Sequence, residues 1–182
     1  AAFIFAVQMI NFPILPGVSG HLLGGALAAI LVGRYTGVLC IAIVLVVQSL
    51  LFADGGVTAL GMNITNMALI GVAAGYATAV ALYALVRRRR LDRSVGAMGV
   101  VGFLSALVGT VSASMGFVVE YAIGGAAQTS LGTVAAYMLG THVLIGIGEG
   151  LITAVTVMAV VRSRPDLVYL LRRSRTETAV AA

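Results

Sequence analysis

The chain has 182 residues, 60% of them hydrophobic and 9% charged, with a mean hydropathy of +1.10 and a formal net charge of +5. A soluble domain carries roughly 25% charged residues, so the exterior of this fold must face lipid rather than water. All eleven basic residues are arginines, grouped at Arg34, at 87–93 and at 162–175; none forms a stripe suited to a nucleic-acid groove, and nucleic acid is excluded as a partner in favour of positive-inside anchoring.

In chain order, residues 1–14 read as an apolar helix stopped by Pro13 and Pro16, with the turn PGVSG behind it. The opening residues have no basic n-region and no initiator methionine, so they are not a signal peptide and are expected to begin inside a longer protein. Residues 21–33 are apolar but shorter than the roughly 20 needed to span a bilayer. Residues 36–53 form a continuous apolar run that ends at the loop ADGG, and residues 60–86 form a longer one that ends at Arg87–Arg90. Two further spans are expected at 95–120 and 138–161, with a Gly/Ala/Thr/Ser stretch at 124–134 read as a loop or re-entrant turn. The fold class is therefore all-α, a polytopic transmembrane helix bundle with six spans over residues 1–161. Residues 162–182 are expected to be a basic cytoplasmic tail, a surface segment with a short amphipathic turn at 166–171. Cys40 lies in an apolar run and implies no disulfide.

Alternating the spans puts every arginine cluster on the cytoplasmic side. His21, Asp54, Asn63, Glu120 and His142 then fall towards the outer side, and polar groups at such depth are functional candidates. His21 follows the turn GVSG, where a neutral imidazole suits a borderline transition metal; the alternative is a loop histidine bonded to a carbonyl. His142, Gly146 and Glu149 recur at four and seven residues and so share one helical face. Glu149 needs a hydrogen-bond donor or a proton at that depth. Asn63 and Asn66 share a face too, and interhelical bonding is the commoner use of such amides. Asp54, before two glycines, reads as a turn former more than a ligand. Gln8, Asn11, Gln48 and Ser49 are weaker candidates. Runs of small residues such as GVAAG and GFLSALVG indicate close helix packing. The chain has no GxxxxGK[ST], no HExxH and no cysteine pair, so ATP hydrolysis and the common zinc sites are excluded.

The strings NFPILPGVSGHLLGGALAAILVG (11–33), LLFADGGVTALGMNITNMALIG (50–71) and THVLIGIGEGLITA (141–154) resemble the substrate-binding membrane component of energy-coupling-factor transporters for cobalt and nickel, the CbiM/NikM type. The resemblance implies a bundle of about seven helices that captures Co²⁺ or Ni²⁺ from outside. It also implies a transmembrane coupling component, cytoplasmic ATPase subunits and sometimes a small accessory membrane subunit as partners. The cell membrane is the implied location, the chain itself is no enzyme, and no cofactor is implied beyond the transported ion. By the same match His21 is a metal ligand, and Asn63, Asn66 and Glu149 are pocket supports, with His142 and Asp54 beside them. In the family the remaining ligands come from an amino-terminal Met-His. That start and the first helix are not in this sequence, so a seventh span and tight metal binding are expected only of a complete protein. A supply of cobalt to cobalamin synthesis is a further implication. The rival readings are a stand-alone cation transporter or channel using Glu149 as a relay, a structural scaffold and, last, a membrane enzyme.

Overall fold

The computed structural model describes residues 1–15, 18–92, 94–125 and 129–172, with side chains from 20 onward and in 1–10. The chain runs through α1 (Ala2–Gln8), β1 (Asn11–Leu15), β2 (Val18–His21), α2 (Gly25–Val32) and α3 (Arg34–Leu51). A 3-10 turn (Val57–Ala59) then leads into α4 (Leu60–Asn63), a π-helical stretch (Ile64–Gly71) and α5 (Val72–Arg88), which together form one continuous rod. Helices α6 (Val95–Gly124) and α7 (Leu131–Ser163) complete the bundle, followed by a 3-10 turn at Pro165–Leu167.

Among the described residues four helices are long and apolar enough to cross a membrane: Arg34–Leu51, Val57–Arg88, Val95–Gly124 and Leu131–Ser163. The expected count of six spans is therefore not what the described residues show. The apolar stretch at 1–14 divides into a seven-residue helix and a strand, because Asn11 to Leu15 pair antiparallel with Val18 to His21. Helix α2 has eight residues, about 12 Å of rise against a hydrocarbon thickness near 30 Å. Pro16 and Gly17, at the heart of the expected turn, lie outside the described residues. Helix α7 starts at Leu131, seven residues before the expected boundary, because Ser130 caps it by accepting the Thr133 N–H at 3.2 Å. Its small residues 131–137 had concealed a helix start. Ser94 caps α6 in the same way, accepting from Ala97 at 3.3 Å.

The bundle is apolar outside, and its largely apolar interior also shelters the polar side chains, the distribution a lipid solvent demands. Leu39, Leu50, Leu144, Leu151 and Val155 are exposed, whereas Gln8, Gln48, Ser105, Thr110, Glu149 and Thr153 are buried. Helices approach closely where glycine replaces a side chain. A Cβ at Gly109 would stand 2.9 Å from the Gly71 carbonyl oxygen, and one at Gly75 would stand 2.9 Å from the Ala26 Cβ. Part of the tail also departs from the expected surface segment. Val168 and Leu170 are buried with Leu27, Ile30, Tyr83 and Val157, so the apolar residues of this segment close the arginine end of the bundle. Residues 173–182 of the tail lie outside the described residues.

Arg34 opens α3, Arg87 and Arg88 close α5, and Arg162 lies in the last turn of α7. Since these spans alternate in direction, the four arginines gather at one end, and His21, Gly55, Gly125 and Ser130 gather at the other. The alternation derived from arginine positions therefore holds for the four long helices.

Candidate metal-binding cavity

The site is assembled at the end away from the arginines. His21 is the last residue of β2, and the next three residues lead straight into α2. Gly24 makes that entry possible: its φ of +73° is a left-handed conformation that side chains disfavour. It aims the Leu23 and Gly24 amides at Glu149. The Leu23 N–H donates to Glu149 Oε2 at 2.8 Å and the Gly24 N–H to Oε1 at 2.9 Å, while the Thr110 hydroxyl donates to Oε2 at 2.9 Å. Gln8 Nε2 completes the clasp, donating to the Leu23 carbonyl at 2.6 Å. A carboxylate at the amino end of α2 also meets the positive end of the helix dipole. Two helices distant in sequence, α1 and α7, thereby grip the peptide groups on either side of Leu23, and α6 braces the carboxylate through Thr110. Glu149, expected to need a donor, has three.

Around His21 lies a cavity of about 370 Å³. Its wall includes His21, Asn63, Asn66 and His142, four of the six residues singled out from the sequence. Glu149 stands behind the wall, fully engaged as an acceptor. Asp54 is not a wall residue; its neighbour Gly55 is, and the Asp54 N–H donates to the Gln48 carbonyl at 3.2 Å. Asn63 Nδ2 reaches back to the Gly55 carbonyl at 3.5 Å.

Both histidines are oriented by the main chain. His142 Nδ1 lies 2.8 Å from the Met138 carbonyl, and His21 Nδ1 lies 3.2 Å from the Leu22 carbonyl. A carbonyl only accepts, so each ring carries a proton on Nδ1, and in the neutral form the lone pair is left on Nε2. Asn66 sits in the π-helical stretch, a rare geometry that recurs at functional sites. Its Nδ2 donates to Glu120 Oε2 at 2.7 Å, and that bond fixes the amide so that Oδ1 faces elsewhere. Oδ1 is buried with no hydrogen-bond partner. Among the described residues no three His, Cys, Asp or Glu side chains cluster at metal-binding distance. The cavity therefore presents neutral nitrogen and oxygen donors.

Sequence reasoning missed several contributors. Met67, Ser114, Phe117 and Met138 also line the cavity. The thioethers sit in ordinary apolar helix patterns that carry no signal of their own, although Met138 lies one turn before His142. The Asn66–Glu120 bond joins two residues 54 apart, beyond the reach of spacing arguments.

The sequence matches the family model described as the cobalt uptake substrate-specific transmembrane region, CbiM, over residues 1–167. The chain belongs to this family. It is 42% identical over 172 residues to a putative fused nickel transport protein, NikMN, of Archaeoglobus fulgidus, covering 92% of this chain and 53% of that protein. It thus spans about half the length of that relative. A putative metal transport protein of Haloquadratum walsbyi is 40% identical over 93% of this chain and 72% of its own length. A cobalt transport protein CbiM of Listeria seeligeri is 33% identical over 94% and 69%. Among solved structures, a transition metal transporter superposes with a TM-score of 0.70 at 27% identity, covering 88% of this chain and 72% of the other. Membership of a cobalt and nickel transport family agrees with the transmembrane helices and with the reading of the chain as a transporter rather than an enzyme.

Proposed function

We propose that this chain is the part of a cobalt or nickel importer that captures the divalent ion at the outer face of the cell membrane, with His21 Nε2 as a direct ligand. The observation that carries this reading is the way His21 is held. Its Nδ1 is committed to a backbone carbonyl, its Nε2 keeps a lone pair, and the peptides behind it are anchored to Glu149 and Gln8. A ligand fixed in this manner loses little freedom when the ion arrives, and a neutral imidazole suits nickel and cobalt. A wall without clustered carboxylates disfavours Mg²⁺ and Ca²⁺, which prefer oxygen-rich cages.

Residues 1–161 act as the ion-binding bundle and residues 162–182 as its cytoplasmic segment. Asn63, Asn66, His142 and the Asp54 loop shape the cavity, and Glu149 holds the His21 segment. Transport is driven by partners: a transmembrane coupling protein and cytoplasmic ATPases, as in energy-coupling-factor systems, with cobalamin synthesis one destination for the ion. Amino-terminal donors supplied outside these 182 residues complete tight coordination. The rival role of Glu149 as a proton or cation relay fits less well, since its two oxygens already accept three hydrogen bonds behind the wall.

Uptake of labelled Ni²⁺ and Co²⁺ at nanomolar concentration, by cells with and without the ATPase partners, tests the reading. Uptake is expected to require both the partners and His21, and to fall to background in His21→Ala. Uptake that persists without the ATPases would move the function to a stand-alone transporter.

A further inference from the structure

Helix α2 follows His21 by only three residues, and it is held at both ends. At the outer end Glu149 binds the Leu23 and Gly24 amides, and Gln8 binds the Leu23 carbonyl. At the inner end Val168 and Leu170 pack with Leu27 and Ile30. The Tyr169 ring lies across Gly33, where a Cβ would stand 3.2 Å from three of its carbons. A glycine of left-handed φ stands at each end of the helix, Gly24 at +73° and Gly33 at +95°, so α2 is a separate short rod rather than the start of α3. Eight residues do not hold a helix by themselves. Helices shorter than about 12–15 residues persist through their packing, and part of that packing is the tail.

The tail is built to reach that place. Arg164 pairs with both oxygens of Asp166, at 3.0 and 2.8 Å, across the 3-10 turn that follows α7. The Leu171 and Arg172 N–H groups then donate to the Val168 carbonyl at 3.1 and 3.2 Å, which shapes the docked end. A segment that served only as a cytoplasmic surface would have no reason to bury Val168, Leu170 and Leu171.

We propose that residues 165–171 are a second clasp on α2, with Tyr169 as a positioning residue, so that docking of the tail and binding of the ion at His21 favour each other. This rests on the reading of His21 as a ligand and extends it to the opposite end of the bundle. The Glu149 clasp stays closed throughout, and α2 does not part from α7. What the tail fixes is the inner end of the rod, hence its tilt about Gly24 and the direction in which His21 is presented. Linkage is reciprocal: the factor by which a docked tail raises affinity for the ion is the factor by which the ion favours docking. A partner that lifts the tail from the cytoplasmic side therefore weakens a site it never touches.

The test is amide hydrogen exchange on the 182-residue chain in nanodiscs, with and without saturating Ni²⁺. Exchange at Leu171 and Arg172 is expected to slow about tenfold with the metal. The turn at residues 89–91, whose N–H groups are also hydrogen-bonded at the arginine end, is the control and is expected not to change. By calorimetry, Tyr169→Ala should weaken Ni²⁺ binding about tenfold, whereas Tyr169→Phe, which keeps the ring on Gly33, should bind as the parent does. If Ni²⁺ binds through His21 and leaves exchange at Leu171 and Arg172 unchanged, the proposal is overturned and the reading of His21 stands. Equal slowing at the control turn also overturns it, because that marks general stabilisation of the bundle by a ligand. Parent affinity in Tyr169→Ala overturns it as well. Absence of any His21-dependent Ni²⁺ binding overturns both. The exchange comparison in the unaltered chain depends on no variant's folding.

Discussion

Replacing Glu149 by glutamine keeps the side-chain shape and removes one of two acceptors. In the parent, Oε2 accepts from the Leu23 N–H and the Thr110 hydroxyl, and Oε1 accepts from the Gly24 N–H. The amide oxygen can serve one side only. If it takes the Oε2 position, the new NH₂ group faces the Gly24 N–H, and two buried donors confront each other. Each unsatisfied buried donor costs about 1–3 kcal/mol, so Glu149→Gln is expected to destabilise the bundle by roughly 2–5 kcal/mol. The opposite orientation fares worse, since it turns the amide towards the Leu23 N–H and loses that bond. Thr110→Val should cost about 1 kcal/mol by itself and much less in the Glu149→Gln background, where the charge-assisted bond has already gone. Denaturant-induced unfolding in detergent, followed by the four combinations of these two substitutions, measures both effects. The clasp also predicts a functional component. Leu23 and Gly24 lie two and three residues after His21, so the folded fraction of Glu149→Gln should bind Ni²⁺ at least about tenfold more weakly, as is usual on loss of a group that orients a ligand. Unchanged unfolding and unchanged affinity together would refute the assignment of Glu149 as the anchor. A loss of stability with full affinity retained would refute its positioning role.

Other expectations follow from packing. Gly75→Ala should destabilise by about 1–3 kcal/mol, because the added Cβ meets Ala26 and the Ser105 carbonyl with no room to relax. Gly148→Ala, where nothing stands within 4 Å, should be neutral or stabilising by up to about 1 kcal/mol through helix propensity; equal unfolding midpoints for the two variants would count against the packing described. Val168→Asp places a carboxylate where the parent side chain is fully buried, so the tail should undock, and trypsin should cut after Arg172 at least about tenfold faster. An unaltered digestion rate would show that the segment is not held there.

Much of this was legible in the sequence, for identifiable reasons. Arginine positions and apolar run length fixed the alternation of α3, the Val57–Arg88 rod, α6 and α7, because lipid penalises a misplaced charge more than any local propensity can offset. His21, Asn63, Asn66 and His142 stood out because polar groups are scarce in such a chain, and all four meet at one cavity. The failures share a cause: hydropathy reports composition and is blind to backbone form. Phe12 and Ile14 read as helix, yet their segment pairs with Val18–His21 as a hairpin. The run at 21–33 is apolar because it is buried inside the bundle, and it contributes eight helical residues rather than a span. Val168, Leu170 and Leu171 read as apolar residues in and beside a short amphipathic turn at the surface, and only the fold shows that they cover the end of α2 and α5. The clasp on Glu149 joins residues 125 and 126 apart, and no spacing rule reaches that far.

The central claim is that the imidazole of His21 holds the transported ion within this cavity. A crystal of the protein grown with Ni²⁺ or Co²⁺, with anomalous data collected at the metal edge, tests it most directly. The account predicts a single strong peak about 2.0–2.2 Å from His21 Nε2, the distance range of imidazole–metal bonds. A peak at another site, with the His21 ring left unligated, would contradict it.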